Sequence, residues 1–534
     1  MKKSLTKHLA LALAVLMLAT LFAGCGAEAQ PAATPEATTD GQPSGPVQGG
    51  TITLRVASDL GGYTWLSSAN QLLTHYVLGR NFVWDGNEKV NILFESCEVS
   101  EDGTVWTVKL KDGIKWHDGE SVTSEDYIFA REFWGQIPAT ENGITDGSVY
   151  EATDELSFTV TLPAPNFEYD SSIVKPMPQH VWQDVLPEKR NDITDIKYSI
   201  GCGPFKLTEI VPNEYYVLER FEDYIGGAPY LDSIVFRVIP DAEAAMIALE
   251  SGQVDGTIYD ANQSTRVEQN SAYITYSAPG GTLQRLDFNT QLAKFSDKET
   301  RQAIAMLVNK EAIVNQVLRG EAVASYSCFP MADPYFDDSV VNKYEYDIDA
   351  AKELLAEAGW TEGADGILER DGERLSIELI SPGMSEIEKA ALIMQEDMKK
   401  AGIELTLKNV DFSQYFDALY GAEPNFELAY QGTGMPKGLT SNWKYIYAMP
   451  EAAPGRYENP EVTALFEKAA TKDEEIKREA YREIQRLVSI DCPDIPLYEG
   501  NSLYATNQSV NFDEAKFDGS GIIVVYPEKI FVNQ

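Results

Sequence analysis

Residues 95–126 read ESCEVSEDGTVWTVKLKDGIKWHDGESVTSED. Within this stretch, residues 103–110 are rich in Val, Thr and Trp and predict a strand, and the following Lys111-Asp112-Gly113 is typical of a turn. Thr123 and Asp126 have the spacing of a capping box, which predicts a helix that continues to Phe133. His117-Asp118-Gly119 lies in the short connection before that helix. We therefore interpret these three residues as part of a structural turn rather than as a catalytic or metal site.

Strands and helices alternate along the rest of the chain. Residues 51–57 and 155–162 alternate apolar and polar side chains, which predicts two more half-buried strands. Asp347 is expected to cap a helix that Gly359 ends. Residues 385–401 have the pattern of a second amphipathic helix, and a strand is predicted at 403–407. This alternation predicts an α/β fold with short loops.

The length and composition indicate how many lobes the protein has and which classes of partner it can bind. The chain has 534 residues, of which 44% are hydrophobic, so we expect two or more lobes, each with a packed core. It carries 83 Asp and Glu against 43 Lys and Arg, a formal net charge of −40. Such a surface would repel phosphates, which excludes nucleic acid as a partner and makes docking by a basic face to an anionic membrane unfavourable.

Metal, phosphate and disulfide chemistry has little support in the sequence. The chain has only four His and five Cys, and Cys97, Cys202, Cys328 and Cys492 lie more than a hundred residues apart. We interpret these four as free buried thiols. Disulfides are the alternative, since an exported location would permit them, but the sequence does not indicate which cysteines would pair. The sequences Asp365-Gly366 and Asp371-Gly372 lack the ligand spacing of a calcium loop and predict hairpin turns.

The N-terminus has the pattern of an exported lipoprotein. Lys2, Lys3 and Lys7 precede an apolar run of 15 positions, which is too short to span a membrane and is typical of a signal peptide over residues 1–24. The run ends in LFAGC, which resembles a lipoprotein box with Cys25 as the lipidated (palmitate-bearing) residue, although Phe22 departs from the usual Leu, Val or Ile. Ordinary cleavage nearby is the alternative. Residues 25–49 are rich in Ala, Pro, Thr and Gly and predict a flexible tether.

Six segments, in the same order along the chain, resemble the family 5 extracellular solute-binding proteins, the group that contains the oligopeptide-, dipeptide- and nickel-binding components of ABC importers. The segments are residues 95–126, 201–207, 218–232, a group of short matches at 288–290, 301–304 and 309–313, and residues 351–360 and 457–462. The resemblance covers about residues 50–500 and implies a two-lobed clamp of the periplasmic-binding-protein type. By the family pattern, the basal domain of lobe one comprises 50–68, 196–285 and 500–534, an extra domain of lobe one comprises 69–195, and lobe two comprises 286–499.

The resemblance also implies a role. The protein would be a monomer at the outer face of the cytoplasmic membrane, anchored through Cys25. It would capture a peptide or another small molecule between its lobes and deliver it to the transmembrane subunits of an ABC permease with their ATPases. It would need no cofactor and no catalytic residue.

The expected ligand site lacks a charged group that peptide-binding members commonly have. Those members place an Asp after the segment that here reads FELAYQGTG, residues 426–434, where it pairs with the peptide's α-ammonium. In this chain no Asp or Glu occurs between Glu427 and Glu451, and Lys437 brings the opposite charge. A peptide or peptide-like ligand remains the first hypothesis because of the family resemblance. Another acidic residue of the chain would then pair with the α-ammonium of the peptide.

An oligosaccharide is the second hypothesis, because aromatic rings and amide or hydroxyl groups suit sugars. The candidate ligand-binding residues for either ligand are Tyr63, Trp65, Tyr430, Gln431, Thr433, Met435 and Trp443. The alternative for each aromatic residue is core packing. A nickel or haem complex is disfavoured because His75, His117 and His180 are isolated. A secreted carboxylate-dependent hydrolase is the alternative class of protein, but the chain has no recognised nucleophile setting.

Overall fold

The computed structural model describes residues 46, 48–60, 71–138, 144, 146–421, 424–434, 440–517 and 524–533. The predicted signal peptide, Cys25 and nearly all of the tether therefore lie outside the described residues. Among the described helices, none combines the length and the apolarity that a membrane span requires.

Strands and helices alternate as the sequence predicted. The first strands are β1 (Thr51–Val56), β2 (Phe82–Asp85), β3 (Glu88–Asn91), β4 (Phe94–Val99), β5 (Val105–Leu110), β6 (Val149–Asp154), β7 (Ser157–Thr161), β8 (Phe205–Val211), β9 (Tyr215–Arg220), β10 (Ser233–Val238), β11 (Gly256–Tyr259) and β12 (Tyr273–Phe288). The later strands are β13 (Ala322–Ala324), β14 (Thr361–Glu362), β15 (Leu368–Arg370), β16 (Glu373–Arg374), β17 (Ser376–Ser381), β18 (Glu404–Asn409), β19 (Leu428–Gly434), β20 (Asp494–Asn507), β21 (Val510–Asn511) and β22 (Phe531–Val532).

The α-helices are α1 (Gln71–Tyr76), α2 (Ser124–Gly135), α3 (Gln179–Trp182), α4 (Ala242–Glu250), α5 (Ser264–Glu268), α6 (Lys298–Met306), α7 (Lys310–Ala312), α8 (Ile348–Glu357), α9 (Ser385–Lys400), α10 (Phe412–Tyr420), α11 (Ser441–Ala448), α12 (Pro460–Ala469) and α13 (Glu474–Asp491). Several of them begin where a short polar side chain caps the first turn. The Asp347 carboxylate accepts a hydrogen bond from the Ala350 amide at 3.0 Å, and Gly359 follows the helix at φ +88°. The predicted caps of α8 are therefore confirmed.

The stretch 95–126 folds as predicted from its local pattern. Residues 105–110 form β5, and α2 begins after Thr123, whose amide donates to the Asp126 carboxylate at 2.9 Å. His117 lies in the turn before α2, where its Nε2 is 3.0 Å from the Gly203 carbonyl oxygen and its Nδ1 accepts from the Gly201 amide at 3.2 Å. The turn interpretation of His117 is confirmed.

An 11-stranded mixed sheet runs through most of the fold in the order β18-β17-β19-β12-β20-β11-β1-β10-β9-β8, with β13 paired to β20. Its two longest strands, β12 and β20, pair with each other along most of their length. Their register shifts between Pro279 and Leu283, so the central ladder is irregular there. A separate antiparallel sheet contains β4, β5, β7 and β6.

The cores lie on either side of this irregular point. On one side, apolar residues drawn from 52–77, 205–236 and 504–532 form one core, and a second core lies mainly among residues 78–225. On the other side, one core lies among residues 286–498 and another among 328–488. We call the residues packed on the first two cores lobe one and those packed on the other two lobe two. The exact domain limits given above stay a prediction.

Candidate ligand site between the two lobes

A cavity of about 670 Å³ lies where the two lobes meet. Lobe one contributes residues between His75 and Asn87 together with Lys516, Phe517 and Val525. Lobe two contributes Pro330–Asp333, and β12 contributes Ala278, Pro279 and Gly281. A cavity of this size is typical of a small-molecule site. The central strand forms its floor at the point where the register shifts, so a change in lobe angle would open or close it.

The lobe-one wall is held in place by close backbone contact. After α1, the Val77 carbonyl accepts a hydrogen bond from the Gly203 amide at 2.9 Å. A Cβ atom at Gly203 would lie only 2.6 Å from the Leu78 carbonyl oxygen, so this approach requires glycine. The segment from His75 to Arg80 is thereby fixed against the wall of the cavity.

The β2–β3 hairpin adds aromatic rings and a paired charge to the same wall. Phe82 and Trp84 line the cavity, and the Lys89 ammonium lies 4.0 Å from the centre of the Phe82 ring. The Asp85 carboxylate pairs with the Lys516 ammonium at 2.5 Å. The hydrogen bond from Lys516 holds the pKa of Asp85 below its usual value. The charges of Asp85 and Lys516 therefore balance each other in this part of the wall.

The lobe-two wall depends on a buried carboxylate. The Met331 amide donates to Glu499 Oε1 at 2.7 Å, and Glu499 on β20 is only 1% exposed. Glu499 Oε2 is buried and has no hydrogen-bond partner among the described residues. Burial raises the pKa of Glu499 to about 7. The loop that lines the cavity is thus tied to the central strand by a group that titrates near neutral pH.

A direct contact also joins the two lobes. Glu168, which follows β7 in lobe one, accepts from the Thr440 hydroxyl at 2.5 Å and from the Thr440 amide at 3.2 Å. The Tyr481 hydroxyl lies 3.1 Å from Glu168 and 2.5 Å from Thr440 Oγ1. Thr440 and Tyr481 belong to lobe two. We call these three residues the Glu168 contact; it links lobe one directly to lobe two.

Comparisons with known proteins identify the family of this chain. The family model described as "Bacterial extracellular solute-binding proteins, family 5 Middle" matches residues 88–448. The chain belongs to this family. The predicted α/β two-lobed clamp is therefore confirmed, as is the family resemblance of the sequence.

Individual family 5 members show how far the likeness extends. The oligopeptide-binding protein AppA of Bacillus subtilis is 29% identical over 452 residues, which is 80% of this chain and 82% of AppA. The nickel-binding periplasmic protein of Escherichia coli is 27% identical over 428 residues, 76% of this chain and 80% of that protein. The crystal structure of the ABC transporter substrate-binding protein CtaP from Listeria monocytogenes matches with a TM-score of 0.77 at 25% identity, covering 91% of this chain and all of CtaP (100%).

Four of the predicted ligand residues lie in the described part of this family 5 protein. Tyr430 and Trp443 are buried at 2% and 0% exposure, and Gln431 is also buried. Thr433 is half-buried near the end of β19. None of the four is among the described residues that line the cavity. Tyr63, Trp65 and Met435 lie outside the described residues.

Three of these side chains have identifiable packing partners. The Tyr430 hydroxyl is 3.2 Å from that of Tyr498, and the Trp443 ring stacks on Phe329 with the ring centres 5.1 Å apart. Gln431 donates to Asp287 at 2.6 Å. Trp443 does not line the cavity itself. Its stacking partner Phe329 directly precedes Pro330, which does.

Gln431 belongs to a buried ionic cluster. Arg285 donates to Asp494 at 3.0 Å and to Asp287 at 3.1 Å, and Tyr447 donates to Asp494 at 2.5 Å. Burial raises the pKa of Asp287, and the neighbouring Arg285 opposes that rise. A buried charge without its partner is costly, so the cluster fixes the strands β12, β19 and β20 relative to one another.

The sequence reasoning missed the residues that line the cavity. His75, Arg80 and Lys516 meet there although up to 441 positions separate them. No spacing rule connects such distant residues. The one available signal is compositional: basic side chains are scarce in this acidic chain, so each of them is a candidate for a specific role.

Metal and thiol chemistry is not evident in the part of the chain that the structure describes. No group of three or more His, Cys, Asp or Glu side chains there is arranged to hold a metal ion. Cys97, Cys202, Cys328 and Cys492 are free, as interpreted from the sequence; the last three are buried and Cys97 is half-buried. Burial raises the pKa of Cys97, Cys202 and Cys492 to about 12, so these thiols are unreactive at neutral pH.

Proposed function

We propose that this protein is the extracytoplasmic substrate-binding lipoprotein of an ABC importer, and that it captures a peptide or peptide-like solute between its lobes. The observation that carries the proposal is the cavity of about 670 Å³ bounded by both lobes and by the central strands. The relative named as an oligopeptide-binding protein supports a peptide as the ligand. The protein would then deliver the peptide to the transmembrane subunits of a permease, which work with ATPases.

Closure would couple ligand binding to delivery. A ligand that contacts both walls favours the closed form by its differential affinity for the two forms. The Glu168 contact would add to that preference, since it can form only when the lobes are together. The permease would recognise the closed, loaded protein.

The anchor and the location follow from the N-terminal sequence. Cys25 would carry the lipid, and residues 25–49 would hold a monomer at the outer face of the cytoplasmic membrane. A single acyl chain binds membranes only marginally, whereas two or more anchor stably, so a lipoprotein anchor would keep the protein at the membrane.

An oligosaccharide is the second candidate ligand, favoured by the aromatic lining. Phe82, Trp84 and Phe517 line the cavity, and rings of this kind can cover the C–H faces of sugars. The relative named as a nickel-binding protein makes a nickel complex a further ligand to test.

The test is native mass spectrometry of the full-length protein, followed by calorimetry with the compound that it carries. An intact peptide bound one to one would support the proposal. An oligosaccharide would move the second candidate to first place, and a nickel chelate that binds tightly while peptides and sugars fail would refute both. Turnover of peptides or oligosaccharides by the purified protein would favour a hydrolase instead.

A further inference from the structure

A buried carboxylate lies at the irregular point of the central sheet. Glu499 on β20 is only 1% exposed, and it pairs with Leu283 of β12 at one end of the register shift that begins at Pro279. On the other edge of β20 it pairs with Val323 of β13. Strands bend at such irregularities. Glu499 therefore lies where the strands that connect the two lobes depart from a regular ladder.

The same carboxylate is joined to the lobe-two wall of the cavity. The Met331 amide donates to Glu499 Oε1 at 2.7 Å, and Met331 belongs to the segment Pro330–Asp333, which lines the cavity. Pro279, at the register shift, lines the cavity as well. One side chain thus links the lobe-two wall to the strands that form the floor.

The Glu499 carboxylate has no cationic partner among the described residues. The Met331 amide is its one hydrogen-bond donor there, and its Oε2 is buried without a partner. An ionised carboxylate is unfavourable in such surroundings, because burial removes its hydration and no positive charge replaces it. A protonated carboxyl group is tolerated much better. The observed arrangement therefore suits the protonated acid.

The charged groups on the neighbouring strands have other partners. Arg285 of β12 pairs with Asp287 and with Asp494 of β20. Directly before β13, burial and the neighbouring Glu268 raise the pKa of Glu321, so this carboxyl group interacts with the end of α5. These groups therefore do not neutralise the buried carboxylate.

The charged groups of the cavity do not neutralise it either. Those that line the cavity are His75, Arg80, Asp85, Asp333 and Lys516. Asp85 and Lys516 pair with each other. Burial raises the pKa of Glu499 and the hydrogen bond from Met331 lowers it, and none of the five groups contributes to either effect.

We propose that Glu499 is a proton-operated latch on the lobe-two wall of the cavity. The protonated side chain holds the segment Pro330–Asp333 against β20. When the carboxyl group releases its proton to solvent, the ionised form needs hydration, so the segment moves away from β20 and admits water. This inference goes beyond the proposed function, because it concerns the wall of the cavity and holds for any class of ligand.

The direction of the pH dependence follows from burial. With the latch closed, burial raises the pKa of Glu499 from 4.5 to about 7. With the latch open, the carboxylate is hydrated and its pKa returns towards the ordinary value. The closed form therefore binds more protons, and opening becomes more favourable as the pH rises from about 4.5 to about 7.

Hydrogen exchange of the Met331 amide tests the latch in the full-length, unliganded protein. The bond to Glu499 protects this amide, so its exchange, followed by mass spectrometry of the fragment that contains it, reports opening of the segment. After correction for the intrinsic pH dependence of exchange, we expect its protection factor to fall about 10- to 100-fold between about pH 5 and about pH 8. At each pH it should remain below the protection of the paired amides of β12 and β20, because the opening is local.

Two variants complete the test. Glu499→Gln is uncharged at every pH, so its Met331 fragment should keep throughout the range the protection that the wild-type protein has at about pH 5. Glu219→Gln changes an exposed glutamate on β9 and should follow the wild-type curve.

Three results would overturn the latch. The first is a wild-type protection factor that does not change with pH, which decides the matter even where Glu499→Gln fails to fold. The second is an unchanged pH dependence in folded Glu499→Gln. The third is equal protection of Met331 and of the β12 and β20 amides, which would show that the segment opens only when the whole fold does.

Discussion

The Glu168 carboxylate of lobe one lies 2.5 Å from the hydroxyl oxygen of Thr440 in lobe two. Thr440 also offers its backbone amide, and Tyr481 completes the set of donors from lobe two. Thr440 directly precedes α11, so Glu168 also places negative charge at a helix N-terminus, where it is favourable. Glu168 is thus held by donors of the opposite lobe and is not among the described residues that line the cavity.

Removing this charge should weaken closure. We expect Glu168→Gln to cost the closed form about 1–2 kcal/mol, because charge-assisted hydrogen bonds become neutral ones. Ligand dissociation should then be roughly 5- to 30-fold faster. Stopped-flow measurement of the dissociation rate, with the ligand found by native mass spectrometry, checks this outcome.

The matched control is Glu132→Gln, which changes an exposed carboxylate on α2. It should leave the dissociation rate unchanged. Equal rates for Glu168→Gln and the wild-type protein would show that the Glu168 contact does not contribute to the closed state.

The buried Glu499 should make stability depend on pH. Its folded pKa is raised from 4.5 to about 7, so the folded form binds more protons than the unfolded form between these values, and stability falls as pH rises through them. The expected fall is about 3 kcal/mol. In Glu499→Gln this contribution should be absent, which is measured as a flatter pH dependence of the free energy of unfolding.

Glu467→Gln changes an exposed carboxylate on α12 and serves as the control for that titration. Its pH dependence should follow the wild-type curve. A Glu499→Gln curve parallel to the wild type would mean that Glu499 does not titrate in this range.

Substitutions of Trp443 distinguish a packing role of this side chain from a contact with the ligand. The ring is fully buried between Phe329 and Tyr447, so we expect Trp443→Ala to destabilise the protein by about 3–5 kcal/mol. Trp443→Phe preserves an aromatic stack and should retain most of the stability and the affinity. Lost affinity in a stable Trp443→Phe protein would instead support the sequence-based prediction that Trp443 contacts the ligand.

Local patterns in the sequence predicted much of the fold. The Thr123–Asp126 box, the cap at Asp347 and the turn at Asp371-Gly372 were all predicted correctly, because each depends on residues within a few positions of one another. The two-lobed architecture followed from the order of six family-like segments. Those segments carry the turns and strand starts that the fold requires.

The candidate site was harder to predict because its residues are distant in sequence. Arg80 and Lys516 line one cavity because β11 pairs with both β1 and β20 and so brings the N-terminal and C-terminal parts of the fold together. The aromatic and polar residues near 430–443 were plausible from their types. However, Gln431 bonds to Asp287 and Trp443 stacks on Phe329, and these partners could not be deduced from composition or spacing.

The proposed lipid anchor at Cys25, near the N-terminus, can be tested by substitution. Cys25→Ala removes the thiol that would be lipidated, so we expect the protein to leave the membrane fraction and appear in the soluble extracytoplasmic fraction. Cys97→Ala, which changes a half-buried thiol within the fold, should stay with the membrane. Fractionation and immunoblotting check both, and membrane retention of Cys25→Ala would contradict the anchor.

The most direct test of the account is whether the cavity between the lobes holds the ligand. Ala278 lines the cavity from β12, and Ala278→Trp would fill part of it. Native mass spectrometry of the full-length wild-type protein should show an intact peptide bound one to one, and the folded Ala278→Trp protein should carry none. A ligand of another chemical class, or equal peptide occupancy in the two proteins, would contradict the account.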